Sequence, residues 1–225
     1  MHLDLPLGPL LDRLHAQSDA QGEAIGAYFA ARAREGSLDW REFDEHTHQF
    51  MSDKLVALDR DKALFCHQLC RALRARRVVE AGTSFGVSTL YLAAAVRANV
   101  REDGGTGVVI GTELEPAKAE IARAHFAEAG LSGFIELREG DLRQTLKDVG
   151  GPVDFMLMDI WTPLALPALE LVAPSLRPGA IVVADNTTLF RDAYRDYFGF
   201  VNDPANGLRT LTLPFEGGLE LTVRG

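Results

Sequence analysis

The stretch from Val78 to Leu90, VVEAGTSFGVSTL, constrains this chain more than any other. An apolar run ending in an acid, Val78-Val79-Glu80, leads into a turn of small residues, Gly82-Thr83-Ser84-Phe85-Gly86. A segment with helical spacing follows, Val87 to Val96. Strand, glycine turn and helix make a layout in which backbone approaches a ligand closely and aims free N–H groups at it. The glycines stand G-x-x-x-G, not G-x-G-x-x-G, and no lysine follows the second. That spacing argues against a dinucleotide fingerprint and against a phosphate-binding loop. An acid just before the turn would also repel a pyrophosphate, whereas it suits a cationic ligand.

A chain of 225 residues, 47% of them hydrophobic, can bury a core around such a unit as one domain. Its 32 acids against 23 bases give a net charge of −9, which argues against a nucleic-acid or anionic-membrane partner. Asp4 and Asp12 interrupt the apolar N-terminus and no basic region precedes it, so neither a signal peptide nor a membrane span is expected. The expected location is cytoplasmic. Cys66 and Cys70 stand one helical turn apart and read as two buried thiols, since partners for a zinc site are missing.

Residues 1 to about 75 read as helical. Leu7, Leu10, Leu11 and Leu14 form one apolar face, a second helix covers Asp19 to Arg34, and a third runs from about Asp61 to Ala75. Between them lies the polar segment Asp39 to Gln49, with Trp40, Phe43, His46 and His48. From Arg77 the pattern alternates. Strands are expected at Val78–Glu80, Val108–Thr112, Phe134–Leu137, Val153–Met158 and Ala180–Ala184, with helices at Pro116–Ala129, Leu142–Val149, Leu164–Leu176 and Phe190–Phe200 between or after them. Leu208–Leu213 and Leu219–Val223 form a hairpin around Glu216-Gly217-Gly218. The fold class is therefore α/β, a doubly wound sheet with mixed strands at one edge.

Ligands in such sheets bind at the carboxyl ends of the strands, and Glu80, Glu113, Asp141, Asp159, Asp185 and Asn186 all fall there. Glu113, after the second strand, is placed to accept both hydroxyls of a ribose, or to cap the next helix. Asp141 accepts from an adenine amino group or caps a helix. Asp159, Asp185 and Asn186 offer two carboxylates and an amide oxygen, hard ligands suited to Mg²⁺ or Ca²⁺; an Asp-Asn pair also serves as a cap or turn.

The order VVEAGTSFGVSTL, Glu113, EGDL (139–142), MDIW (158–161) and ADN (184–186) resembles the cation-dependent O-methyltransferases of the catechol O-methyltransferase type, which use S-adenosylmethionine (SAM). The resemblance runs from about Met51 to the C-terminus. It implies a class I methyltransferase fold with a seven-stranded sheet, residues 51–225, preceded by an N-terminal helical segment, residues 1–50, acting as a lid or dimer surface. It implies that Gly82, Thr83, Ser84 and Gly86 wrap the methionine part of SAM, with Glu80 near its amino group and Ser88 at its carboxylate. Glu113 would hold the ribose, Asp141, Leu142 and Trp161 would border the adenine, and the loop from Met51 to Leu58 would lie over the cofactor. Asp159, Asp185 and Asn186 fall on the family's metal ligands, so Mg²⁺ or another divalent cation is expected, with Asp159 also at the catalytic centre. The acceptor implied is a small hydroxylated aromatic of catechol type, and the assembly a homodimer.

The chain departs from the family at one position that matters. Where relatives often carry a Trp-Lys pair whose lysine is the general base, this sequence has Trp161-Thr162, and threonine takes no proton at neutral pH. Either the metal alone acidifies the acceptor hydroxyl, or another group takes its proton, with His46 and His48 as candidates. Glu216 stands near the place of the acid that contacts the second hydroxyl in catechol-specific members.

Overall fold

The computed structural model describes residues 7–42 and 44–225. Asp4 and Phe43 of the segments above lie outside the described residues. Four helices open the chain, α1 (Leu7–Asp19), α2 (Gly22–Arg34), α3 (Glu45–Met51) and α4 (Arg60–Ala72). Then follow β1 (Arg77–Ala81), α5 (Val87–Asp103), β2 (Val108–Glu113), α6 (Pro116–Glu128), β3 (Ile135–Glu139), α7 (Leu142–Thr145), β4 (Val153–Met158) and α8 (Thr162–Val172). β5 (Leu176–Asp185), α9 (Arg195–Asn202), β6 (Leu208–Leu213) and β7 (Leu219–Arg224) complete the order.

The seven strands form one sheet in the order β3-β2-β1-β4-β5-β7-β6. β1 to β5 run parallel, and β7 is antiparallel to both β5 and β6. This is the expected seven-stranded class I arrangement with its C-terminal hairpin. Strands buried on both faces hide their alternation in the sequence, but the packing restores it. Val78, Val109, Phe155, Leu157 and Val183 face a core shared with α1, α4 and α5. Val79, Ile110, Met156, Met158, Val182 and Ala184 face a second core with α8 and α9. Glu80 pairs in register with Leu157, and Leu157 with Val183. By the period of two, Glu80, Asp159 and Asp185 all belong to the α4 face.

Several boundaries differ from expectation for local reasons. The polar segment Asp39 to Gln49, given no element of its own, contains the start of α3, which Asp44 caps by accepting from the N–H groups of His46 and Thr47. β5 begins at Leu176, not Ala180, taking in Pro178 and Gly179 through a register shift against β4. α9 starts five residues late, because Phe190 to Tyr194 form turns, and α5 runs on to Asp103 before Gly104 stops it. The apolar face of α1 is buried in the core of the α4–α5 layer, so this part of residues 1–50 is integral to the fold. Cys66 and Cys70 are buried and free on α4. Among the described residues no helix is long and apolar enough to cross a membrane.

Candidate active site

The turn after β1 is built by close backbone approach. Gly82 (φ +95°) passes so near the end of β4 that a Cβ there would lie 2.0 Å from the Asp159 carbonyl oxygen. Gly86 (φ +83°) starts α5 without a side-chain cap, leaving its first N–H groups to a ligand, and a Cβ there would lie 2.4 Å from the Phe126 ring. Ser84, at φ +51°, donates its N–H to Glu113 Oε2 at 2.7 Å, and Glu115 N–H reaches Oε1 at 2.8 Å. Glu113 thus fixes the turn while remaining half-exposed, its other lone pairs open.

Glu80 is fully buried behind the turn. Its Oε2 accepts from the Thr83 hydroxyl (3.1 Å) and from Thr89. Its Oε1 has no partner. Burial raises the Glu80 pKa from 4.5 to about 7 against the pull of these hydroxyls, and Glu113 adds to the rise. Gly111 on β2 makes the room: a Cβ there would stand 2.3 Å from Thr83 Oγ1. An orphaned buried carboxylate oxygen beside an uncapped helix N-terminus fits a ligand that carries an ammonium and a carboxylate together. Ser88, expected at that carboxylate, is buried in the first turn of α5.

Asp159 and Asp185 follow the paired residues Met158 and Ala184 on neighbouring strands. Among the described residues no side chain donates to the Asp159 carboxylate. Burial, then Asp185 and Glu80, push its pKa well above the ordinary carboxylate range, with Lys62 opposing. Asp185 is buried and its pKa is also raised, by burial, although Lys62 acts against the rise. The lysine reaches it from α4, Nζ to Oδ1 at 2.7 Å, and a second bond goes to Asp59 at 3.0 Å. Burial alone would lower the lysine's pKa; Asp185 and Asp59 more than offset this and the net shift is upward.

The expected divalent site on Asp159, Asp185 and Asn186 does not fit this arrangement. Both oxygens of Asp185 are engaged, Oδ1 with Lys62 and Oδ2 with the Asn186 amide N–H at 3.1 Å. Asn186 (φ +59°) turns its own oxygen toward Gly217, where a Cβ would meet it at 2.4 Å. A cation on Asp185 would stand beside the ammonium, and like charges 4 Å apart repel by roughly 4 kcal/mol per pair of unit charges. Lys62 escaped the sequence reading; its signal was a lysine in register with Cys66 and Cys70 on the buried face of a helix.

The remaining candidates separate. Asp141 caps α7 through Arg143 N–H (2.9 Å) and pairs with the Arg143 guanidinium, which holds its pKa down. Leu142, the first residue of α7, is buried. His46 is exposed on α3, and His48 pairs with Glu115 at 2.8 Å. Met51, at the end of α3, accepts from Lys118 Nζ at 2.9 Å, which ties the following loop to α6 beside Glu113.

Over the other end lies an aromatic group. Trp40 sits 4.3 Å from the Phe190 ring and 6.2 Å from Trp161, centroid to centroid, with Phe29 behind it at 4.9 Å. Thr162, in the place of the family lysine, is buried and donates its hydroxyl to the Trp40 carbonyl. Trp40, Trp161 and His48 line a small cavity. Glu216 is exposed in the β6–β7 turn.

A family model described as a methyltransferase domain matches residues 79–187. A catechol O-methyltransferase of Mycobacterium tuberculosis is 33% identical over 58% of this chain, which spans 57% of that protein's length. A putative O-methyltransferase of Mycolicibacterium vanbaalenii is 30% identical over 77% of the chain and 79% of its own. Among solved structures, the O-methyltransferase TomG of Streptomyces achromogenes, in complex with SAM, superposes with a TM-score of 0.66 at 24% identity, covering 81% of this chain and 91% of TomG.

Proposed function

This chain belongs to the SAM-dependent O-methyltransferases, and from that premise we propose that it methylates a hydroxyl of a small aromatic acceptor, with Asp159 as the general base. The observation that carries the reading is Glu80, whose buried and unpartnered oxygen lies beside the uncapped start of α5. Glu80 accepts from the cofactor's ammonium, and the first N–H groups of α5 hold its carboxylate. Glu113, fixed by two backbone N–H groups, takes the ribose hydroxyls, and Leu142 with Trp161 borders the adenine. When bound, SAM supplies an electrophilic methyl group; the acceptor oxygen bonds to it as the carbon–sulfur bond breaks, and S-adenosylhomocysteine leaves.

Asp159 meets both conditions for taking the acceptor's proton. Its carboxylate has no donor among the described side chains, and burial, then Asp185 and Glu80, raise its pKa well above the ordinary carboxylate range, which makes it a stronger base when ionised. The rings of Trp40 and Phe190 favour a flat aromatic acceptor, which they would enclose and keep from water. Catechols are the first acceptors to test, on the strength of the catechol O-methyltransferase relative. α2 buries none of its residues fully and offers a surface for a homodimer.

A second reading keeps methyl transfer and adds a divalent cation; the proximity of Asp159 and Asp185 favours it, and their pairing with Lys62 opposes it. Incubation with labelled SAM and a panel of catechols and simple phenols tests the proposal, with and without chelator. Labelled methyl ether from at least one aromatic hydroxyl is expected. Labelling of carboxylates or amines alone would refute O-methylation, and turnover abolished by chelator would favour the second reading.

A further inference from the structure

Lys62 lies on the face of α4 that also carries Cys66 and Cys70, a position where packing asks for an apolar side chain. It is 2% exposed, and its ammonium bonds Asp185 at 2.7 Å and Asp59 at 3.0 Å. An ammonium is buried at a cost unless it answers a buried charge, and an apolar residue would serve packing better. The charges it answers are Asp185 and, through the field, Asp159. Removing those acids' counter-charge would leave two carboxylates at adjacent strand ends facing each other, the situation that otherwise calls for a metal ion.

We propose that the Lys62 ammonium is the resident cation of this site: it occupies the place beside Asp185 where a divalent ion would bind, so the protein binds no such ion there and needs none. The inference rests on the methyltransferase reading for its consequence in turnover, but not for its consequence in binding. Lys62 is on this account a positioning residue that acts through Asp185. It holds that carboxylate and balances the charge around Asp159.

The test is titration of the full chain with Mn²⁺, followed by electron paramagnetic resonance of the free ion, with S-adenosylhomocysteine affinity measured on the same samples. Wild type is expected to show no saturable site that depends on Asp185. Lys62→Met, which frees Asp185 Oδ1, is expected to bind one Mn²⁺ at least about tenfold more tightly than wild type. Adding Asp185→Asn should remove that gain, and Lys62→Arg should behave as wild type. A purely structural lysine would leave Mn²⁺ affinity unmoved on substitution. One Mn²⁺ bound by wild type and lost in Asp185→Asn would overturn the proposal. So would a folded Lys62→Met that binds no more tightly than wild type. If Lys62→Met does not fold, the wild-type and Lys62→Arg titrations decide alone: an Asp185-dependent site in either refutes the inference, and its absence in both supports it. Failure of wild type to bind S-adenosylhomocysteine would instead strike the methyltransferase reading and leave the Mn²⁺ result standing.

Discussion

Substituting Glu80 should separate the stability of the empty site from its affinity, and in opposite directions. A carboxyl group whose folded pKa lies at about 7 against an ordinary 4.5 prefers to be protonated in the folded chain. The sign follows directly. Below pH 4.5 both states are protonated and there is no penalty; as pH rises through about 7 the penalty grows, then levels off. At 1.36 kcal/mol per unit, the full shift costs the ligand-free protein about 3 kcal/mol at pH 8. Glu80→Gln keeps the shape and most hydrogen bonds while removing the charge, so it should raise the ligand-free Tm at pH 8 and change it little at pH 5. Binding runs the other way. The ionised carboxylate is the form that holds an ammonium, and only about a tenth of it is present at pH 6. The wild-type Kd for S-adenosylhomocysteine should therefore be about tenfold weaker at pH 6 than at pH 8. Calorimetric titrations across this range, with the Gln variant alongside, make the check. In the variant the affinity should be weaker at pH 8 and the pH dependence lost. A wild-type Kd independent of pH, or a Gln variant with the same pH profile and a lower Tm at pH 8, would refute the assignment of Glu80.

Other substitutions report on neighbouring parts of the account. Asp159→Asn should lower kcat by about 10²–10³ while S-adenosylhomocysteine affinity stays within about threefold, since a base and not a cofactor ligand is removed. The wild-type rate should fall on acidification at a pH above the ordinary carboxylate range, because Asp159 protonates early, and a flat profile would count against it. Thr162→Val deletes the hydroxyl that holds Trp40, at about 1 kcal/mol, and should raise KM for an aromatic acceptor more than it changes kcat. Gly82→Ala forces a Cβ to within 2.0 Å of a backbone carbonyl at φ +95°, so thermal melts should show a loss well beyond the ~1–2 kcal/mol of left-handed strain alone.

Much of this architecture was legible because backbone punctuation is local. Gly82, Gly86, Pro116 and the acids closing the apolar runs place turns, helix starts and strand ends, and each lies where the reading put it. β5 and α9 depart from their sequence patterns because Pro178 and Gly179 are tolerated beside a register shift, while Phe190 to Tyr194 have helical spacing but turn conformation. The site was legible as a set of strand-end acids and no further. Their partners come from far along the chain: Lys62 meets Asp185 across 123 positions, and Trp40 meets Thr162 across 122. Such pairings leave no periodic trace. The lysine that displaces the expected metal was visible only as a charge on a helix face that should have been apolar. Asp141 illustrates the converse, since capping α7, as it does through Arg143 N–H, and accepting from an adenine amino group use the same residue at the same position.

The most direct measurement is transfer of labelled methyl from SAM to an aromatic hydroxyl by the metal-stripped wild-type protein in excess chelator. The account predicts that methyl ether accumulates at an undiminished rate and that Asp159→Asn nearly abolishes it. Turnover that appears only when Mg²⁺ or Mn²⁺ is restored would contradict it.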